Sequence, residues 1–95
     1  MSAPFISICI PVYNGAQYIR KCLDSCLNQT FTDFEIVVCD DCSIDNTRDI
    51  VQEYALKDTR IKLYQNHNNS GLVGNWNNTL NHARGEYIKW LFQDD

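Results

Sequence analysis

Two acidic pairs are the residues best able to do chemistry in this sequence. Asp40 and Asp41 close the apolar run FEIVV (34–38) and open a polar segment, Ser43, Asp45, Asn46 and Thr47. Asp94 and Asp95 follow the run YIKWLF (87–92). β-Branched residues that end in a polar turn read as a buried parallel strand feeding a helix, and ligands of open α/β sheets sit where such strands end. Carboxylates repel a phosphate. A phosphorylated ligand would therefore meet them through a divalent cation, or through its base and sugar hydroxyls. The first apolar run, FISICIPV (5–12), ends in Tyr13 and Asn14, and an aromatic at that place can stack on a flat ring.

The phosphate-cradling loops of the common nucleotide folds are missing. The first run is followed by PVYNGA, not G-x-G-x-x-G, and G-x-x-x-x-G-K-[ST] occurs nowhere. Their absence argues against a dinucleotide site. An acid-lined crevice with one aromatic instead fits a nucleotide diphosphate accompanied by Mg²⁺ or Mn²⁺.

A third constellation is Cys39-Asp40-Asp41-Cys42, a C-x-x-C where a thiol redox pair would sit between strand and helix. Two neighbouring carboxylates raise a thiol pKa and disfavour the reactive thiolate, so the sequence favours two unrelated thiols. Cys22 and Cys26 share a helical face, but that face is apolar, which points to packing and not to zinc. His67 and His82 lack partners at metal-ligand spacing and read as surface residues. The odd total of five cysteines fits reduced thiols better than a disulfide framework.

The elements that must position these groups alternate. A strand over residues 5–12 precedes a helix over about 16–28, in which Tyr18, Cys22 and Cys26 form one stripe and Ile19, Leu23 and Leu27 its neighbour. The strand from Phe34 leads into a helix over about 46–57, with Asp45 or Ser43 as N-cap. A short strand at 61–64 and the polar loop QNHNNSG (65–71) precede a third helix, whose inward stripe is Val73, Trp76, Leu80 and Ala83 and whose C′ residue is Gly85. Trp76 and Trp90 are expected in the core. A last strand covers 87–92. This β-α-β-α-β-α-β order predicts a mostly parallel α/β sheet, Rossmann-like, with helices on both faces and strand order 3-2-1-4, so that both acidic pairs flank the end of the first strand.

Composition narrows the partners. Ninety-five residues make one domain at most, and a net charge of −4 with eight scattered Lys and Arg excludes nucleic acid. No apolar run approaches the roughly 20 residues that span a bilayer, and no secretory leader is evident at the start, so the sequence reads as cytoplasmic, at most resting on the inner face of a membrane.

With these residues in view, SICIPVYNGAQYIRKCLDSCLNQTFTDFEIVVCDDCSIDNT, the later GEYI and the terminal DD resemble the nucleotide-binding half of inverting family 2 glycosyltransferases of GT-A fold. The resemblance runs over nearly all of residues 1–95, read as a single partial domain of a longer enzyme. It implies a nucleotide-binding set of Pro11, Tyr13, Asn14, Asp40, Asp41, Ser43 and Asp94, a metal (Mn or Mg) on Asp94 and Asp95, and a UDP-sugar donor. It also implies sugar transfer with inversion to a hydroxyl acceptor, a glycan or lipid-linked sugar, in polysaccharide biosynthesis. Two positions depart from the family pattern: Phe92 stands where an acid often begins the second motif, and Trp76 stands where Arg often precedes the Asn of the third helix. The catalytic base lies beyond the fourth strand in that family, so none of these residues is assigned the catalytic role. Against this stand a non-catalytic nucleotide- or metal-binding module and the thiol redox domain.

Overall fold

In the computed structural model, which describes residues 3–92, a four-stranded parallel sheet has the order β3-β2-β1-β4. The elements are β1 (Ile6–Val12), α1 (Ile19–Leu27), β2 (Phe34–Asp40), α2 (Thr47–Lys57), β3 (Ile61–Gln65), α3 (Gly71–His82) and β4 (Tyr87–Trp90). The expected alternation and strand order are both present. β1 and β2 run in register from Ile6 against Phe34 to Val12 against Asp40, which brings their carboxyl ends level.

Successive side chains of a strand point to opposite faces, and the two faces of this sheet differ in kind. Ile8, Ile10 and Val12 of β1 and Phe34, Ile36 and Val38 of β2 pack with Ile19, Cys22, Leu23 and Cys26 of α1 and Ile50 and Val51 of α2 into one aliphatic cluster. The intervening residues, Ser7 and Cys9 of β1 and Glu35, Val37 and Cys39 of β2, are also buried but lie outside that cluster. α3 packs over β1 and β2 and buries only Asn75 and Thr79.

That is a correction to the sequence reading of α3. Val73 and Leu80 are exposed, and Asn75 and Thr79, four residues apart, face inward in place of the apolar stripe. The reason is what lies beneath them: carbonyl ends of strands and a thiol need hydrogen-bonding partners, which an aliphatic stripe lacks. Trp90 is likewise not in the core, being 37% exposed on the short strand β4.

Other boundaries shift by a few residues. Residues 16–18 form a turn, so α1 begins at Ile19, with the Tyr18 and Ile19 N–H groups both donating to Gly15 O. The N-cap position of α2 is Asn46, but the side chain that receives the Thr47 N–H is Asp45 (3.0 Å). Gly85 is not a left-handed C′ residue. A Cβ there would lie 2.6 Å from the backbone nitrogen of Ser7, so glycine is required by close approach of the α3–β4 connection to β1.

Candidate functional site

The turn after β2 is held by its first acid. Asp40 is fully buried, and its carboxylate accepts the Ser43 N–H (3.0 Å) and the Ser43 hydroxyl (2.5 Å). Arg48 Nε stands 3.9 Å away. Ser43 Oγ in turn accepts the Asn14 N–H (2.8 Å), and Asn14 Oδ1 accepts the Ile44 N–H (2.9 Å). Asn14 and Cys42 both adopt left-handed backbone, φ 51° and 66°. The loops after β1 and β2 are thus stitched to each other, and Asn14, Asp40 and Ser43 are spent on the stitching.

Asp41 points to the other face and does something different. Its Oδ1 accepts the Ser70 N–H (2.7 Å) and Asn66 Nδ2 (2.9 Å), and its Oδ2 accepts the Gly71 N–H (3.1 Å). The carboxylate therefore caps α3 across 29 residues of sequence, and it places negative charge where the helix dipole is positive. Gly71 makes the approach possible with φ 76°. Asn66 passes its other amide hydrogen to Asn75 Oδ1 (2.9 Å), and Asn75 Nδ2 donates to Cys39 O (3.0 Å) and Val12 O (3.4 Å). One buried carboxamide thereby closes the ends of β1 and β2.

Next to this network lies a cavity of about 610 Å³. Pro11, Val12 and Tyr13 line it from the end of β1, and Asp41 from the end of β2. Leu72 and Trp76 of α3 and Phe92, beyond β4, give it an apolar side, and Asn69, Gly71 and Asn75 line it as well. Among the described residues no Lys or Arg lines it, and no group of three His, Cys, Asp or Glu is placed to hold a metal. Of the residues singled out in sequence, Pro11, Tyr13 and Asp41 meet at this cavity, Asn14, Asp40 and Ser43 hold the loops beside it, and Asp94 and Asp95 lie outside the described residues. Asn75, Leu72 and Trp76 were missed as site residues. The polar pair Asn75 and Thr79 at i, i+4 was the available signal.

The thiols are held apart in function. Cys39 Sγ donates to Asn66 Oδ1 (3.3 Å) and Cys42 Sγ to Asn66 O (3.2 Å). Burial pushes the Cys39 thiol above its ordinary range, with Asp41 and Asp40 adding to the effect against a hydrogen bond from Thr79. That is the opposite of an activated thiol.

Residues 7–95 match the sequence pattern of glycosyl transferase family 2. The chain belongs to that family. It is 41% identical over 92 residues to the chondroitin synthase of Escherichia coli, covering 97% of this chain and 13% of that protein. It superposes on S. aureus TarS 1–349 in complex with UDP-GlcNAc with a TM-score of 0.87 at 36% identity, covering 95% of this chain and 26% of that one. On the mannosyltransferase PcManGT from Pyrobaculum calidifontis, in complex with GDP-Man and Mn²⁺, the TM-score is 0.87 at 28% identity, covering 99% and 28%. The family 2 chain thus has the GT-A architecture of these enzymes and spans about an eighth to a quarter of their length. No helix among its described residues is long and apolar enough to cross a membrane.

Proposed function

We propose that this family 2 chain is the donor-binding part of a glycosyltransferase that moves a sugar from a nucleotide diphosphate, UDP in the first instance, to a hydroxyl acceptor with inversion. The observation that carries the reading is the place of the cavity. The chain winds from β1 through β2 to β3 and then crosses back to β4 on the other side of β1. The cavity lies at the carboxyl end of β1 with Phe92, beyond β4, on its wall, which is the switch point where such sheets bind ligands. Tyr13 supplies a ring for the base, and one lone pair of Asp41 Oδ2 is left for a base N–H.

The lining bears on the metal. A cavity with no described cationic side chain fits a diphosphate only if a divalent ion accompanies it. Asp41 is already shared among three donors, so the carboxylates assigned to the ion are Asp94 and Asp95, two and three positions after Phe92 in sequence. When bound, such an ion offsets charge on the departing diphosphate. The residues of this chain bind and orient the donor. The group that takes the acceptor proton is assigned to another part of a longer protein, of which residues 1–95 are one partial domain.

Calorimetric titration of UDP into the full-length protein, with Mn²⁺ and then with EDTA, tests the reading. Mn²⁺-dependent binding that Asp41→Asn and Asp95→Ala each weaken at least tenfold is the expected result. No binding of UDP or GDP under either metal condition would sink it. Binding without sugar release from any UDP-sugar would leave a nucleotide-binding module in its place.

A further inference from the structure

Among the described residues one buried side-chain polar atom has no hydrogen-bond partner, and it belongs to a cavity residue: Trp76 Nε1. A buried indole N–H ordinarily finds an acceptor, and an orphan calls for an explanation. The neighbouring Asn75 shows the contrast, since both its amide hydrogens and its oxygen are engaged. The Trp76 ring instead meets Phe92 and Trp90, at centroid distances of 5.4 and 6.3 Å and tilted by 42° in both cases. Neither ring offers the N–H an oxygen.

Taking the nucleotide reading above as its basis, we infer that Trp76 is a specificity-determining residue: when a nucleotide enters, the indole turns and donates its N–H to a carbonyl oxygen of the base. Turning is required because the N–H is sealed in the resting position. The base is the part of the ligand that fits here, since Tyr13, Leu72 and Phe92 give the cavity aromatic and aliphatic walls, whereas a diphosphate draws cations. Uracil and guanine carry carbonyl oxygens and adenine carries none. Trp76 therefore favours UDP and GDP over ADP.

The test compares wild type with Trp76→Phe, which keeps a ring and removes the donor, in the full-length protein with Mn²⁺. One neutral hydrogen bond corresponds to about a fivefold change in affinity. UDP and metal-free uridine should both bind about fivefold more weakly to Trp76→Phe, and ADP binding should be unchanged. Equal UDP affinity in the two proteins overturns the inference, and so does a loss confined to UDP, which would assign the N–H to the diphosphate. In Trp90→Phe, Trp76 is the remaining tryptophan of these 95 residues. Read as a difference from Trp76→Phe/Trp90→Phe, its emission should shift when UDP is added, and an unchanged spectrum also overturns the inference. Wild type that binds no nucleotide at all is a separate outcome, and it removes the nucleotide reading on which this one rests.

Discussion

The two faces of the sheet are built on different physics. Under α1 and α2 the contacts are aliphatic, non-directional and tolerant of sequence change so long as volume is kept. Under α3 they are directional: Asp41, just past the end of β2, and Glu35, near its start, accept backbone N–H groups at or just beyond the two ends of that helix. Asp41 takes Ser70 and Gly71, and Glu35 Oε2 takes Arg84 (2.7 Å) together with the Ser7 hydroxyl (2.6 Å). The Gly85 N–H completes that corner by donating to Ser7 Oγ (2.7 Å). The apolar face supplies most of the cohesion. The polar face supplies position, and the cavity opens on it.

The largest effect that would sharpen this contrast is on the apolar side. Leu23 is fully buried in the aliphatic cluster, and Leu23→Ala should cost about 3–4 kcal/mol in denaturant unfolding while the folded fraction keeps its nucleotide affinity. Asn75→Ala, on the other face, should cost about 2–3 kcal/mol by leaving the Val12 and Cys39 carbonyls and Asn66 without a partner. Unlike Leu23→Ala it should also weaken UDP binding severalfold, because it lines the cavity. If both variants affected binding equally, the division between faces would fail.

Smaller effects probe the far corner. In Gly85→Ala the new Cβ would meet Ser7 backbone, so a loss of roughly 1–3 kcal/mol is expected with UDP affinity preserved. Cys9 reports on the same corner through pH. Burial, and then the charge of Glu35, push its thiol up to about 11 from 9.0. A raised folded pKa means that stability is intact below pH 9 and is lost as pH rises toward 11, by at most about 2–3 kcal/mol. Equilibrium unfolding at pH 8 and pH 10.5 should show that loss, and Glu35→Gln should reduce it. The smallest effect is expected at the exposed Arg20–Glu53 pair joining α1 to α2 (2.7 Å). Arg20→Ala should leave the melting temperature unchanged within error.

The same division explains what could be read in advance. Element order, strand order and the apolar face were legible because alternation and helical stripes encode burial directly. Of the two stripes read on α1, Cys22 and Cys26 of one and Ile19 and Leu23 of the other are buried, whereas Tyr18 is exposed and Leu27 is half-buried. α3 was misphased because its inward residues are polar, and periodicity of apolar residues is silent about hydrogen bonds formed across 29 or 63 residues of sequence. The acidic turn was found as a motif, but its two carboxylates, adjacent in sequence, point to opposite faces. Only the pleat, followed to its end, separates the acid that holds loops from the acid that reaches the cavity.

The stitched loops also bear on how this molecule ages. Asn14 and Gly15 form the dipeptide most prone to deamidation, a reaction in which the Gly15 nitrogen attacks the Asn14 carboxamide carbon. Here the Gly15 N–H is engaged with Thr47 Oγ1 (2.9 Å) and Asn14 Oδ1 with the Ile44 N–H. Nucleophile and electrophile are each fixed by a different residue beyond β2, Thr47 at the start of α2 and Ile44 in the turn before it. A mass increase of one unit at Asn14 during storage would then serve as a clock for the opening of these loops.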